Sequence, residues 1–137
     1  MTENGHDLSS PIRIPSPIRI LSAIVLFAIG GIHLFLVFDG VGGVLGVLFI
    51  LNAVAGIVLA IGMLAMHGRL LKLVTVLGLL FVIASLLALV LALTVGLFGI
   101  TETWSFTLVP ETIVVDAIGI VVLAVASIFA LRARRAS

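Results

Sequence analysis

The stretch that decides the fold is IRILSAIVLFAIGGIHLFLVFDGVGGVLGVLFILNAVAGIVLAIGMLAM, residues 18–66, in which two apolar runs flank a glycine-rich turn. A membrane helix needs about 20 apolar residues, and each run is about that long. Asp39 and Gly40, followed by Gly42 and Gly43, favour a tight turn because glycine adopts positive φ without strain. A connection this short predicts two antiparallel helices.

The composition of the whole chain is also typical of a membrane protein. Of its 137 residues, 63% are hydrophobic and 9% are charged, whereas soluble domains are about half apolar and about a quarter charged. The sequence therefore predicts an all-α fold, an antiparallel bundle of four transmembrane helices in one domain, residues 17–135. The predicted spans cover about residues 18–38, 44–66, 70–98 and 111–131. Residues 1–16 are predicted to form a flexible or interfacial tail.

The basic residues indicate how the bundle is oriented. Under the positive-inside rule, connections rich in Lys and Arg stay in the cytoplasm. The two connections on the opposite side carry Asp39, Glu102 and Glu111 and no basic residue. Both termini are therefore predicted to be cytoplasmic, in a multi-pass membrane protein. The chain's 7 basic residues are Arg13, Arg19, Arg69, Lys72, Arg132, Arg134 and Arg135.

Small residues at helical spacing predict where the helices pack, because membrane helices associate by close backbone approach. Such stripes suit either one compact bundle or a homo-oligomer. The third apolar run is longer than a bilayer requires, so it is expected to tilt or to break near Gly96 or Gly99. The predicted packing positions are Gly56 in span two and Ala84, Ala88, Ala92 and Gly96 in span three. One face of span four is predicted to hold Thr112, Asp116, Gly119 and Ser127.

Two ionisable residues lie inside apolar runs, His33 in the first span and Asp116 in the last. At about 1.5 Å per residue, His33 lies about 9 Å below the turn at Asp39, and Asp116 lies about 7–8 Å below Glu111. Their similar depth is compatible with a direct hydrogen bond or ion pair. An ionisable group inside a membrane is costly and is therefore a functional candidate. The competing interpretation is that Asp116 is shallow and reaches the lipid headgroups.

Three more polar residues complete the candidate intramembrane site. Asn52 lies near the middle of span two, where an amide more often joins helices than binds a ligand. Glu102, with Trp104, is a candidate lid over the outer mouth, although an interfacial aromatic belt also explains the tryptophan. The candidate site therefore consists of His33, Asp116, Asn52, Glu102 and Glu111.

Known chemical motifs are missing from the chain. It has no cysteine, which excludes disulfides, cysteine-ligated iron–sulfur clusters and thiol chemistry. No nucleotide-binding, metalloprotease or serine-hydrolase pattern occurs. His33 and His67 fall on opposite sides of the membrane, which disfavours a haem held within one chain. We therefore predict no enzyme activity, no catalytic residue, no cofactor, no metal and no nucleic-acid partner.

Three segments resemble known sequences: GIHLF (31–35), GVLFILNAVAG (46–56) and GLFGITETW (96–104). They are similar to segments of small uncharacterised four-span bacterial inner-membrane proteins. The resemblance implies a plasma-membrane location and carries no activity.

Three functional hypotheses follow from these features. The first is a structural or accessory subunit that binds lipid, a second copy of itself or a larger membrane protein, because small-residue stripes and tiny loops accompany no motif. The alternative is a small proton- or cation-coupled transporter or channel that uses His33 and Asp116 in an outward-facing cavity. The third is a redox membrane subunit for haem or quinone.

Overall fold

The computed structural model of the protein describes residues 13–132. Predictions about residues 1–12 and about Arg134 and Arg135 lie outside the described residues. Within this range the chain folds into four helices that are long and apolar enough to cross a membrane, which confirms the predicted helical fold. The helices are α1 (Ser16–Phe38), α2 (Gly43–Ala65), α3 (Gly68–Thr94) and α4 (Val109–Arg132).

The four helices form a ring around a common core. α1 packs against α2 and α4, and α3 packs against the same two helices. The centre is filled by side chains from every helix, whereas large apolar side chains on the outer faces stay exposed, as lipid contact requires. Fully buried core residues include Leu26, Ile29, Met63, Val82 and Leu123.

The α1–α2 contact depends on two glycines that bring the backbones together. A Cβ at Gly30 would lie 3.0 Å from the carbonyl oxygen of Ala53, and a Cβ at Gly56 would lie 3.0 Å from that of Leu26. Neither backbone oxygen can move aside as a flexible side chain would. Gly31 faces open space, and a Cβ there would meet no atom within 4 Å. Gly56 thus has its predicted packing role, and only one glycine of the 30–31 pair shares it.

The small-residue stripe predicted for α3 needs correction. Ala84 is exposed, so it takes no part in a buried contact between helices. Ala88 is half-buried and Ala92 is buried. The glycine of α3 that does pack is Gly78, where a Cβ would lie 3.3 Å from the side chain of Leu123 in α4. Alanine is apolar enough to face lipid, so small size alone did not identify the buried face.

The end of α3 also differs from the predicted span. The helix stops at Thr94, four residues before the predicted limit, because Gly96 turns the chain with a φ of +87°. The N–H groups of Val95 and Gly96 both donate to the carbonyl of Leu91, at 3.0 and 2.8 Å. Gly96 therefore follows the C-cap residue Val95 as the left-handed glycine that ends the helix, and it is not a packing residue.

Arg19 joins α1 to the far end of α2. Its guanidinium donates to the backbone carbonyls of Met63, Leu64 (3.2 Å) and Met66 (2.6 Å). These carbonyls belong to the last turn of α2, where no further helical N–H is available to them. A cation at a helix C-terminus also complements the helix dipole. This end of the bundle is called the Arg19 end below.

Candidate functional site

A folded loop covers the opposite end of the bundle, which is called the loop end below. The loop, residues 95–108, joins α3 to α4 and is fastened by the N–H of Glu102, which donates to the carbonyl of Ala92 at 2.9 Å. Leu97 and Ile100 exchange two backbone hydrogen bonds of 2.8 Å each. The turn between them gives Phe98 and Gly99 positive φ values, 51° and 77°. The loop therefore has a defined conformation over the helix ends.

A cavity of about 130 Å³ lies beneath this loop. All four helices and the loop contribute to its walls, which are mainly leucine, alanine and phenylalanine side chains. An apolar cavity of about 150 Å³ is large enough for a benzene molecule, so this space suits a ligand of similar size. The polar residues in its wall are His33, Asn52, Ser85, Glu102, Thr107 and Thr112.

Asp116 lies inside the bundle next to this cavity. It is 0% exposed and follows Thr112 of the cavity wall by one helical turn, about 6 Å along α4. The Ser85 hydroxyl, also in the wall, lies beside the carboxyl. Neither carboxylate oxygen, however, meets hydrogen-bond geometry with any described group. The interpretation that Asp116 reaches lipid headgroups is therefore wrong.

Ser85, which lies beside Asp116, is bonded to Asn52 of α2. The amide Nδ2 of Asn52 donates to the Ser85 hydroxyl oxygen across 3.5 Å. The Ser85 proton then remains available for the carboxyl on its other side. The Asn52 Oδ1 atom is buried and has no partner in the described structure. The floor of the cavity, as the term is used below, consists of Asn52, Ser85 and Thr112 in its wall and of Asp116, one helical turn beyond Thr112.

His33 lines the cavity but does not pair with Asp116. Its Nδ1 lies 2.8 Å from the carbonyl oxygen of Ile29, and a carbonyl only accepts, so Nδ1 carries the proton. The ring packs edge-on against Phe49, with centroids 5.0 Å apart and planes at 86°. The direct hydrogen bond or ion pair suggested by equal depth is therefore absent. In the neutral ring, Nε2 remains an acceptor.

The two predicted glutamates have different surroundings. Glu102 is part of the cavity wall, and its partial burial raises the pKa of its carboxyl above the ordinary value of 4.5. Glu111 is exposed in the first turn of α4 and lies outside the cavity. Trp104 is 66% exposed and does not belong to the wall. Of the TETW segment, only Glu102 therefore lines the cavity.

Sequence reasoning missed Ser85 and Phe49. Ser85 lies three and seven residues before Ala88 and Ala92, which share the cavity wall, so its helical face was a usable signal. Phe49 follows no such pattern, because its role depends on the relative rotation of α1 and α2. The predicted inward face of α4 is confirmed, since Thr112, Asp116, Gly119 and Ser127 are all buried.

The charge of the site is negative. Among residues 13–132, no lysine or arginine lines the cavity. His67 begins α3 at the Arg19 end, far from His33 along the bundle. In the same part of the chain, no three His, Asp or Glu side chains gather as a metal site. The arrangement offers acceptors and negative charge without a fixed cation.

Comparison with family models finds no match, and searches of curated proteins and of solved structures find none either. The site is therefore interpreted from its own chemistry.

Proposed function

We propose that the chain is a multi-pass protein of the bacterial inner membrane, with antiparallel helices and both termini in the cytoplasm. Two observations support this arrangement. Arg19 near the start of α1 contacts the carbonyls at the end of α2, as expected of antiparallel neighbours. Arg69, Lys72 and Arg132 lie in helix ends at the same side as Arg19, whereas the loop end carries Glu102 and Glu111. The cavity then opens towards the outside.

Within this frame, the protein is a small proton- or cation-coupled carrier or channel that works through the loop-end cavity. The observation that carries this proposal is Asp116, fully buried with both oxygens unpartnered. An unpaired charge in apolar surroundings is costly, so this carboxyl requires either a proton or a cation. Exchange of one for the other at the same group is the chemical basis of coupling.

The other ionisable groups are compatible with this role. His33 and Glu102 line the cavity, and the residues of α2 include no charged side chain. On α3 the charged residues are Arg69 and Lys72, both in its first turns at the Arg19 end. No fixed cation therefore competes for Asp116 from the described helices.

Proteoliposomes test the proposal directly. Purified protein is incorporated into liposomes that contain a pH-sensitive dye, and a potassium gradient with valinomycin drives protons inward, with and without an added sodium gradient. We expect the wild type to change the internal pH faster than empty liposomes and Asp116→Asn to lose most of that difference. Ser127→Ala is the matched control, because Ser127 is also buried and unpartnered on α4 but lies eleven residues further along.

Wild-type liposomes that behave like empty ones under every gradient would refute the carrier. Equal flux in wild type and Asp116→Asn would remove Asp116 from the mechanism.

The accessory role remains the second candidate because of Phe98. This residue is 81% exposed and holds a left-handed φ of 51°, which costs about 1 kcal/mol or more for a residue other than glycine. A strained, exposed aromatic at a turn is compatible with contact to a partner or to a second copy. Phe98→Gly should then relieve the strain yet weaken association, measured as oligomer size and co-purifying protein in mild detergent. Unchanged association would contradict this role.

A further inference from the structure

The buried polar atoms that lack a partner at the loop end are all hydrogen-bond acceptors. Three of the four buried side-chain atoms without a partner in residues 13–132 are Asn52 Oδ1 and the two carboxylate oxygens of Asp116. All three accept hydrogen bonds. Asn52 lines the cavity, whereas Asp116 lies one helical turn beyond Thr112 of its wall. The fourth, the hydroxyl of Ser127, lies towards the Arg19 end. What the floor lacks is a donor.

The remaining polar groups around the floor do not supply one. Thr112 Oγ1 donates to the carbonyl of Leu108 at 2.7 Å, and His33 Nδ1 donates to that of Ile29. Asn52 Nδ2 donates to Ser85. The Ser85 proton and the second N–H of Asn52 Nδ2 remain for three acceptor oxygens, each of which has two lone pairs, so a ligand with several donors is needed to satisfy them.

The walls above the floor define the rest of the ligand. They are mainly apolar and include the ring of Phe49, which packs against His33. The volume of about 130 Å³ limits the occupant to about the size of benzene. A ligand that fits this cavity therefore has a positively charged head with several hydrogen-bond donors at the floor and a short hydrocarbon part under the loop.

We infer that the cavity binds a small primary alkylammonium ion, whose three N–H groups serve Asn52 Oδ1 and the Asp116 carboxyl. This inference rests on the proposed function and names the class of cation that the same site takes. A primary ammonium supplies both the missing donors and the missing charge. A quaternary ammonium supplies charge alone and leaves the amide oxygen unsatisfied.

Two isomeric cations separate these contributions. n-Butylammonium and tetramethylammonium have the same composition and charge and differ in N–H donors. Their binding is measured by calorimetry with the protein in lipid nanodiscs of phosphatidylethanolamine and phosphatidylglycerol, with empty nanodiscs as the blank for partitioning into lipid. We expect n-butylammonium to bind about tenfold more tightly, which is the value of one hydrogen bond to a charged group.

Variants then assign the contacts. Asp116→Asn should abolish the binding of n-butylammonium, and Ser127→Ala should leave it unchanged. Asn52→Leu should weaken the binding of n-butylammonium by about tenfold and should change the binding of tetramethylammonium little. Melting curves of each variant in the same nanodiscs show whether it is folded. Loss of binding in a folded Asn52→Leu variant can then be assigned to the missing amide.

The outcomes distinguish the ligand class from the proposed function. Equal binding of the two cations overturns the donor argument even where Asp116 is required for both. No binding of either cation, together with Asp116-dependent flux in liposomes, overturns the alkylammonium ligand and leaves the carrier standing. No binding and no flux overturn both.

Discussion

The two ends of the bundle differ in the buried polar atoms that lack a partner among residues 13–132: one hydroxyl, that of Ser127, lies towards the Arg19 end, and three acceptor oxygens of Asn52 and Asp116 lie towards the loop end. At the Arg19 end, Ser22 donates to the carbonyl of Ile18 at 2.8 Å and Thr75 donates to that of Leu71 at 2.7 Å. Arg19 itself satisfies the last carbonyls of α2. At the loop end, Asn52 and Asp116 keep unpartnered acceptors next to a cavity.

This difference separates a stabilising end from a binding end. Arg19 joins two helices, and Ser22 and Thr75 are satisfied within their own helices. Unsatisfied groups, in contrast, represent free energy that a ligand can recover. The close contact of Gly30 and Gly56 lies between the two ends.

The largest effect is expected at the glycine contact. Gly30→Leu places a side chain where a Cβ already lies 3.0 Å from the carbonyl oxygen of Ala53, so α1 and α2 must separate. We expect a loss of about 3 kcal/mol in the free energy of unfolding, measured by SDS titration in mixed micelles. Gly31→Leu is the matched control, because nothing lies within 4 Å of that position. Similar losses at both positions would contradict the close α1–α2 contact.

The next effect concerns the Arg19 end. Arg19→Met keeps a long apolar stem but removes every donor to the carbonyls of Met63, Leu64 and Met66. We expect a loss of about 2 kcal/mol in the same unfolding assay, the value of charged hydrogen bonds at a helix end. Arg69→Met, at an exposed position of the same end, should change stability little. Equal effects would show that Arg19 contributes only surface charge.

The sequence predicted those features that follow from periodicity along one helix. The buried face of α4 was correct because Thr112, Asp116 and Gly119 recur at helical spacing among larger apolar residues. The break near Gly96 was anticipated because the apolar run exceeds the bilayer. Ala84 was misassigned because a small apolar residue faces either lipid or a helix at little cost.

Features that depend on how two structural elements contact each other could not be predicted from the sequence. Spacing along the helices placed His33 and Asp116 at a similar depth. Depth does not determine how each helix is rotated about its axis, and the His33 ring contacts Ile29 and Phe49 instead. The bonds of Arg19 depend on a neighbouring helix end, since a basic residue near an interface usually extends into water. The loop conformation depends on the left-handed φ of Phe98, which sequence preference disfavours.

A smaller effect, of opposite sign, is expected at the loop end. Asp116→Asn removes a buried carboxyl without partners and adds an amide N–H₂ that can donate to neighbouring acceptors. We expect stability to stay unchanged or to rise by about 1 kcal/mol while flux is lost, as is common when a functional group is replaced. The melting temperature in nanodiscs provides the measurement. A clear drop in stability would show that the carboxyl has a structural partner and would weaken the contrast between the two ends.

The smallest effect is a pH dependence of the loop. Burial raises the pKa of Glu102 above 4.5, so between 4.5 and the higher folded-state value the folded loop binds a proton that the unfolded loop releases. The folded loop is therefore most stable below this window and loses stability as pH rises through it. Trp104, the chain's only tryptophan, lies two residues away, and its fluorescence reports the transition. Glu102→Gln should abolish the change, whereas Glu111→Gln, exposed on α4, should preserve it. A transition that survives in Glu102→Gln would assign the titration to another group and leave the loop without a pH-sensitive contact to the cavity.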